Sequence, residues 1–267
     1  MKTDFRKAKL SPRHRQMLEF VEKLTRTPWL LEESDLDSLR KAGFSDLEVL
    51  HIVLGTAHFN YLNRVADGVG IRLEYEVTLP TAPSPRRFAM EEAPRSQPPP
   101  SAGKNGGCAW IDDFADNGRG DAGEPRNFFR AMGGNPEARK LARAWRAYQL
   151  RGTSRLDAGQ RSWIAFSISS FDRCAYTAHW HQKELKQRTE EPLAQLDDVE
   201  ISRRALLLRH ARKLAREPAT VAEKDLARLR EAGLDDLAIL ELTMLVGYLS
   251  FESRVALGLG VSLESTE

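Results

Sequence analysis

One short segment of the chain, CAYTAHWH, brings together a cysteine and two histidines, residue types that carry nucleophilic and acid–base chemistry. If the segment is helical, each residue advances about 100° around the axis, so Cys174, Thr177 and His181 share one face. His179 then points well away from Cys174. A cysteine attacks as its thiolate and needs a nearby base or positive charge. His181 would have to supply that base across two helical turns, a distance that suits a bridging water better than direct proton transfer.

The same segment also has a purely structural interpretation. A free cysteine often fills space in a core, and a helical histidine often bonds a buried carbonyl. Tyr176 and Trp180 would then be packing residues. A metal pair made of His179 and His181 is disfavoured, because residues i and i+2 face apart on a helix and no third ligand is evident. We therefore expect neither a metal nor a cofactor.

Length and composition indicate an ordinary globular protein. The 267 residues allow one large or two small domains, and 41% of them are hydrophobic. With 40 basic against 38 acidic residues, the net charge is too small to indicate a nucleic-acid-binding surface. No stretch reaches the roughly 18 apolar residues of a membrane helix. Two cysteines exclude a disulfide scaffold, and the basic N-terminus has no apolar region behind it, so we expect a cytoplasmic protein.

The chain contains an internal repeat. Residues 11–76 and 201–266 align without a gap at an offset of 190. KLTRTPWLLEESDLDSLRKAGFSDLEVLHIVL matches KLAREPATVAEKDLARLREAGLDDLAILELTM, and NRVADGVGIRLE matches SRVALGLGVSLE. Pro28 pairs with Pro218 and Gly70 with Gly260. Because prolines and glycines occupy matching positions in both segments, the alignment is not a product of chance. We expect the two copies to superpose.

Each copy is predicted to form three helices separated by turns. In the first copy, the first helix runs to about Leu24, and Ser34-Asp35 offers an N-cap for the second. Ser45-Asp46 caps the third helix, in which apolar residues recur at helical spacing. Gly68 and Gly70 are expected to end that helix.

The remaining segments complete an all-α prediction. Residues 77–107 are rich in Pro and Gly and indicate an extended linker, followed by an acidic loop over 108–123. Asn135-Pro136 starts a helix, and two more helices follow, with their junction at or near Ser169–Asp172. No alternating pattern typical of strands is present. We expect three parts: a truncated helical repeat (1–76), a linker with its acidic loop (77–123) and a second helical domain (124–267).

A family resemblance gives these motifs more meaning. Residues 160–185 resemble the active-site region of the alkylhydroperoxidase D-like, carboxymuconolactone decarboxylase superfamily, whose peroxidases carry a glutamate, then C-x-x-C, then x-x-x-H. Cys174 matches the first cysteine and His181 the histidine. KLAREP, SRVALGLGV and FNYLNRVADGVG resemble the second half of the superfamily's uncharacterised peroxidase-related group. The resemblance covers 11–76 and roughly 125–265, and it implies an alkylhydroperoxidase D-like helical bundle that forms dimers or trimers.

The sequence departs from the superfamily's motif at two of four positions. Thr177 replaces the second cysteine, and Ser162 stands where the glutamate belongs. In the redox members one cysteine becomes a sulfenic acid and its partner resolves it to a disulfide. Since Thr177 cannot do so, an ordinary dithiol cycle is not expected. Cys108 could act as a resolving thiol only if its segment approaches Cys174.

These observations define a candidate pocket. Cys174, Thr177 and His181 are its candidate catalytic residues, and Ser162 and Tyr176 are candidates for binding substrate. Ser162 is expected to face the cysteine because it occupies the position of the lost glutamate.

A second polar group, which belongs to the first repeat copy alone, adds further candidates for substrate binding: His58, Asn60, Asn63 and Arg64. Tyr248, Ser250 and Ser253 replace the first three in the second copy. At helical spacing Asn60, Asn63 and Arg64 lie near one another. They either line a pocket or form a buried hydrogen-bond network between helices.

Two classes of function fit the sequence. The first is a divergent enzyme acting on a small organic substrate through Cys174 and His181, either oxidoreductase-like or using non-redox acid–base chemistry. The second is a catalytically inactive ligand-binding or assembly protein on the same scaffold, since fold does not fix function. Both imply a homo-oligomer without nucleic-acid or membrane partners.

Overall fold

The computed structural model describes residues 4–72, 107–112, 124–188 and 197–264, so most of the predicted linker and acidic loop lies outside the described residues. Within those ranges the chain forms α-helices and short 3-10 turns and no strand, which confirms the all-α prediction. None of the helices in these ranges is both long and apolar enough to cross a membrane.

Ten α-helices and three short 3-10 helices make up the described part of the chain. The α-helices are α1 Pro12–Arg26, α2 Glu33–Lys41, α3 Asp46–Val69, α4 Arg126–Ala131, α5 Pro136–Arg151, α6 Ala158–Phe171, α7 Ala175–Arg188, α8 Asp198–Arg216, α9 Glu223–Glu231 and α10 Asp236–Leu259. The 3-10 helices are Phe5–Lys7, Pro28–Leu30 and Pro218–Thr220.

The element bounds of the two repeat copies coincide closely. α3 and α10 each have 24 residues, and each ends at a left-handed glycine, Gly70 with φ 66° and Gly260 with φ 60°. The Pro28–Leu30 and Pro218–Thr220 turns also correspond at the offset of 190. Superposition of the copies stays a prediction, because equal bounds do not determine how three helices pack.

Three predicted helix ends differ from the structure. α1 continues past Leu24 to Arg26. α2 begins at Glu33 with Glu32 as its N-cap, because Asp35 accepts a hydrogen bond from the Glu32 N–H at 2.8 Å as part of a capping box. Gly68 lies inside α3 rather than ending it.

The reason for a glycine at position 68 is close packing. A Cβ atom there would meet the side chains of Thr243 on α10 and Leu214 on α8. The missing side chain therefore lets α3 approach both helices, which is a packing role and not a stop signal.

α10 is the central helix of the protein. It packs most extensively against α3 and also contacts α5, α6, α7 and α8. Every residue from 245 to 256 is buried, although this stretch contains Glu252, Ser253 and Arg254. Because a buried charge is costly unless it is paired, these residues require partners from the surrounding helices.

The division into 1–76, 77–123 and 124–267 stays a proposal. Core residues of the first part, such as Leu24 and Val53, belong to the same hydrophobic cluster as residues of α10. The start of the predicted acidic loop is packed as well: the Trp110 N–H donates to the Leu259 carbonyl at 2.8 Å, and Cys108 is 4% exposed. The apolar residues in CAWI account for this difference from a solvated loop.

The turn between α6 and α7 positions the candidate site. α6 ends at Phe171 and α7 begins at Ala175, which places the junction where the sequence predicted it. Arg173 has a φ of 58°, the one positive value among described residues other than glycine. This turn reverses the chain, so α6 and α7 pack together and both contact α10.

Candidate functional site

Cys174 lies at the α6–α7 turn and is 1% exposed. Its N–H donates to the Ser169 carbonyl at 3.1 Å, and its carbonyl accepts from the Ala178 N–H at 2.9 Å. Burial raises the pKa of the thiol to about 12, against a smaller opposing effect of hydrogen bonds with Thr177. The negative charges of Asp172 and Glu252 raise it further. Cys174 is therefore a neutral thiol near neutral pH.

His181 is completely buried between two carboxylates. Its Nε2 lies 2.7 Å from Oε2 of Glu252, and its Nδ1 lies 3.3 Å from Oε2 of Glu184. An ionised carboxylate can only accept hydrogen bonds, so both contacts are satisfied when both ring nitrogens carry protons, which favours the imidazolium form of the ring. Burial lowers the pKa of His181, but Glu252 and Glu184 outweigh that effect and the pKa is raised.

Arg146 joins the same two carboxylates from the opposite side. Its Nη2 donates to Oε1 of Glu184 at 2.9 Å, and its Nη1 donates to Oε1 of Glu252. Arg146, His181, Glu184 and Glu252 thus form a closed ring of alternating charges, which we call the buried ion ring. Two positive and two negative groups cancel, so the ring carries no net charge.

Both carboxylates of the buried ion ring stay ionised. Burial raises the pKa of Glu184, but the His181 hydrogen bond and Arg146 outweigh it and lower the pKa to about 2. Burial likewise opposes ionisation of Glu252, whose pKa is nevertheless lowered by Arg146 and His181. The Tyr248 hydroxyl donates to Oε1 of Glu252 at 3.1 Å. Every charge in the ring therefore has a partner, as burial requires.

Thr177 and His181 lie on the buried side of α7, Cys174 is buried in the turn just before that helix, and His179 is exposed. The Thr177 hydroxyl donates to the Cys174 carbonyl at 3.4 Å and lies 3.4 Å from the Ser253 hydroxyl oxygen. In the imidazolium form that its two carboxylate partners favour, His181 has no lone pair with which to accept a proton from the thiol. The arrangement positions these residues without activating Cys174, and their catalytic roles stay a prediction.

Ser162 and Tyr176 have other partners. The Ser162 hydroxyl donates to the Ala158 carbonyl of its own helix at 2.8 Å. The Tyr176 hydroxyl donates to Glu264 at 2.8 Å and accepts from the Phe128 N–H at 3.0 Å. Tyr176 thus links α7 to α4 and to the end of the described chain. This is a packing role, the alternative to substrate binding for Tyr176.

Asn60 and Arg64 form a buried network between helices. Nη1 of Arg64 donates to the Asn60 side-chain oxygen at 3.1 Å, and its Nη2 donates to the Ala215 carbonyl on α8 at 2.7 Å. Nδ2 of Asn60 donates to Thr25 on α1 at 3.1 Å. These bonds hold α1, α3 and α8 together, in agreement with the network alternative.

His58 and Asn63 do not join that network. Both are exposed, whereas Asn60 and Arg64 are buried, so the structure divides the predicted polar group between two sides of α3. The His58 ring lies 6.4 Å from the ring of Trp145 on α5, at the surface. Asn63 is exposed although it lies only three residues from Asn60, because the buried face of α3 runs through Val53, Ala57, Asn60 and Arg64 and leaves Asn63 at its edge.

Sequence reasoning missed Arg146, Glu184 and Glu252. A signal existed for Glu252: it is a charged residue in the largely apolar helix α10, and Leu62 occupies the corresponding position of the first copy. Glu184 also follows His181 at the i, i+3 spacing that lets side chains meet. Nothing in the sequence pointed to Arg146.

Comparison with known proteins adds little beyond this geometry. No family model matches the chain, and no curated protein matches it. Among solved structures the chain is similar to an uncharacterized peroxidase-related protein from Silicibacter sp. TM1040, with 25% sequence identity and a TM-score of 0.47. The similarity covers 52% of this chain and 76% of that one.

Proposed function

We propose that this chain is a non-catalytic helical binding protein in which the surroundings of Cys174 stabilise the fold. The observation that carries this proposal is that both ring nitrogens of His181 lie against carboxylate oxygens. A histidine held in this way is neither a free base nor a proton donor to Cys174. The motif that resembles the alkylhydroperoxidase D-like superfamily would then be a diverged reaction site, now used for stability.

The state of the thiol supports the same proposal. Burial raises the pKa of the Cys174 thiol to about 12, so the group is held as the neutral thiol near neutral pH. Thr177 cannot resolve a sulfenic acid. The competing function, a divergent enzyme acting on a small organic substrate through Cys174 and His181, would need a conformation that frees both groups.

Thiol reactivity tests the proposal. In a Cys108→Ser variant, Cys174 is the single thiol, and we expect it to react with a disulfide reagent at neutral pH only when the protein unfolds. The same variant should show no peroxide turnover with a thiol reductant. Cys174→Ser provides the blank. Rapid reaction of the folded protein, or turnover lost in Cys174→Ser, would favour the divergent enzyme.

We also propose self-association as a dimer or trimer. Phe59 and Leu62 on α3 and Leu141 on α5 are exposed apolar side chains, at 67%, 42% and 67%. The contact of Trp145 with His58 places α5 beside α3, so these side chains belong to neighbouring helices. Apolar surface of this kind favours burial against a second copy. A cytoplasmic location is likewise a proposal, resting on composition.

A further inference from the structure

The two repeat copies contact each other reciprocally. Nη2 of Arg64 in the first copy donates to the Ala215 carbonyl in the second at 2.7 Å, and Nη2 of Arg254 in the second copy donates to the Thr25 carbonyl in the first at 2.9 Å. Arg254 lies 190 positions after Arg64, and Ala215 lies 190 positions after Thr25. The second contact is therefore the first one with the roles of the copies exchanged.

Glycines near the ends of α3 and α10 show the same exchange. A Cβ atom on Gly68 would meet the side chain of Thr243, and a Cβ atom on Gly258 would meet the side chain of Val53, the residue equivalent to Thr243. Contacts exchanged in this way characterise an interface around a two-fold axis. A groove formed between the copies on one side of that axis should therefore have an equivalent on the other side.

One groove between the copies is covered by residues 108–112 of the chain. At the end of the second copy, the Trp110 N–H donates to the Leu259 carbonyl at 2.8 Å, and the Ser262 N–H donates to the Cys108 carbonyl at 2.9 Å. The Trp110 ring lies so close to Gly260 that a Cβ atom there would collide with it. Glycine is thus what allows the ring to pack on the end of α10.

The first copy forms the other wall of this covered groove. Nη2 of Arg40 donates to the Trp110 carbonyl at 2.6 Å, and Oδ2 of Asp46 accepts from the Asp112 N–H at 2.7 Å. Arg40 and Asp46 also form an ion pair with each other at 2.7 Å. One arginine and one aspartate therefore bind the main chain of the 108–112 segment.

The equivalent groove is exposed. We define this exposed groove by Gly70 and Ile71 at the end of the first copy and by Arg230 and Asp236 in the second. Ile71 is 65% exposed, whereas its counterpart Val261 is 1% exposed. A Cβ atom on Gly70 would meet no described residue within 4 Å. The surface against which Trp110 packs on the second copy is therefore open on the first.

The two charged residues of the exposed groove have their binding atoms free. Nε of Arg230 donates to Oδ1 of Asp236 at 2.8 Å, which repeats the pairing of Arg40 with Asp46. Among the described residues, Nη2 of Arg230 and Oδ2 of Asp236 have no hydrogen-bond partner. In the covered groove, the same two atom types hold the 108–112 segment. The exposed groove thus offers one donor and one acceptor to the main chain of a peptide.

We propose that the exposed groove binds a segment of a partner protein that has an aromatic residue followed by an aliphatic one. The aromatic ring packs on Gly70, its carbonyl accepts from Nη2 of Arg230, and the N–H two residues further on donates to Asp236. Main-chain hydrogen bonds supply affinity in such a site, and the aromatic side chain supplies specificity. This inference rests on the proposed function, because it names the partner of a binding protein.

A second copy of this chain fits the exposed groove less well than a different protein does. Each chain has two grooves but only one CAWID segment. Cys108, Ala109 and Ile111 of that segment are already buried in the covered groove. A second copy could donate the segment only by uncovering its own groove, so one groove per chain would stay exposed.

Calorimetric titration of the full chain with a peptide of residues 107–113, GCAWIDD with blocked ends, tests the proposal. We expect one peptide to bind per chain, and the same peptide with Trp110→Ala to bind at least about tenfold more weakly. Absence of binding, or equal affinity for the two peptides, would overturn the proposal. Dissociation of an oligomer by the peptide would overturn the choice of partner in favour of a second copy.

Arg230→Met is the decisive variant. Its side chain is exposed, so the folded protein should keep its stability, but peptide binding should weaken by at least about tenfold. Arg228→Met makes the same change at an exposed position of the same helix and should leave binding unchanged. Unchanged binding in Arg230→Met would place the peptide elsewhere and overturn the proposal.

The titration and the thiol experiment fail independently. Repeating the titration in Cys174→Ser should leave the affinity unchanged, because the exposed groove does not include Cys174. A reactive Cys174 would overturn the proposed function and leave a positive titration intact. An inert Cys174 with no peptide binding would overturn the exposed groove alone.

Discussion

At Cys174 and His181, neighbouring groups decide the chemistry more than spacing does. Cys174 is buried next to negative charges, so its proton is retained. His181 is buried next to two carboxylates, so its second proton is retained as well. Two groups that could exchange a proton in solution are thus both held in their protonated forms.

The pH dependence of stability follows from these shifts. The lowered pKa values of Glu184 and Glu252 contribute stability that is present above about pH 4.5 and is lost as pH falls through their folded values, which for Glu184 is about 2. The raised pKa of His181 contributes stability that is fully present below pH 6.5 and is lost as pH rises through its folded value. We expect urea unfolding to show both losses.

His210 is the matched control for the alkaline loss. It is buried with a lowered pKa, so its contribution has the opposite sign and is lost as pH falls below 6.5. His210→Phe, which installs the residue found at the corresponding position of the first copy, should keep the loss above pH 6.5. His181→Gln should remove that loss. If both variants retain it, another group is responsible.

The residue scale also shows where sequence reasoning stops. The shared face of Cys174, Thr177 and His181 was predictable, because helical periodicity is local. The partners of His181 were not, because Arg146 bonds Glu184 across 38 positions and Glu252 across 106. Whether a histidine is a base or a structural cation depends on those distant groups.

At the scale of elements, the buried ion ring joins α5, α7 and α10. Arg146→Met leaves two buried carboxylates with one cation, and we expect the free energy of unfolding to fall by about 3–5 kcal/mol. Urea unfolding near neutral pH measures this loss. Arg230→Met, which removes the exposed ion pairs of Arg230 with Glu223 and Asp236, is the comparison and should have little effect.

Replacing the whole ring should be far less harmful than breaking it. A variant combining Arg146→Met, His181→Phe, Glu184→Met and Glu252→Leu removes all four charges at similar volume, and Leu62 shows that position 252 has an apolar counterpart. We expect this variant to be more stable than Arg146→Met alone. If it is less stable, the ring contributes net attraction and not merely mutual neutralisation.

The glycines that end α3 and α10 provide a second test at this scale. Gly70→Ala places a side chain in a left-handed residue with nothing nearby, at a cost of about 1–2 kcal/mol. Gly260→Ala has the same strain and would also drive its Cβ into the Trp110 indole ring. Its loss in thermal unfolding should exceed that of Gly70→Ala by about 1–3 kcal/mol. Equal losses would contradict the packing of Trp110 on α10.

At the scale of the whole molecule, the class of fold was predictable and the packing was not. Helical periodicity and the glycines at helix ends predict the boundaries of the helices in both repeat copies to within a few residues. The central place of α10 does not follow from them, since α3 has nearly the same pattern of caps. The central position of α10 shows in the burial of Glu252 and Arg254, and this burial depends on helices from other parts of the chain.

Self-association belongs to this scale. We expect light scattering at micromolar concentration to show a dimer or trimer. Phe59→Ser should shift the protein towards monomer, because it removes an exposed apolar side chain from α3. Val199→Ser on α8, where the side chain is 76% exposed, is the control and should leave the mass unchanged. A wild-type monomer would contradict the proposal.

The protonation state of His181 tests the central claim most directly. Nitrogen-15 NMR of the ring, assigned with His181→Gln, reports whether each nitrogen carries a proton. Because both nitrogens face carboxylates, the protein should show a doubly protonated His181 near neutral pH, titrating above 6.5. A neutral ring with one bare nitrogen near neutral pH would contradict the account and make His181 available as a base.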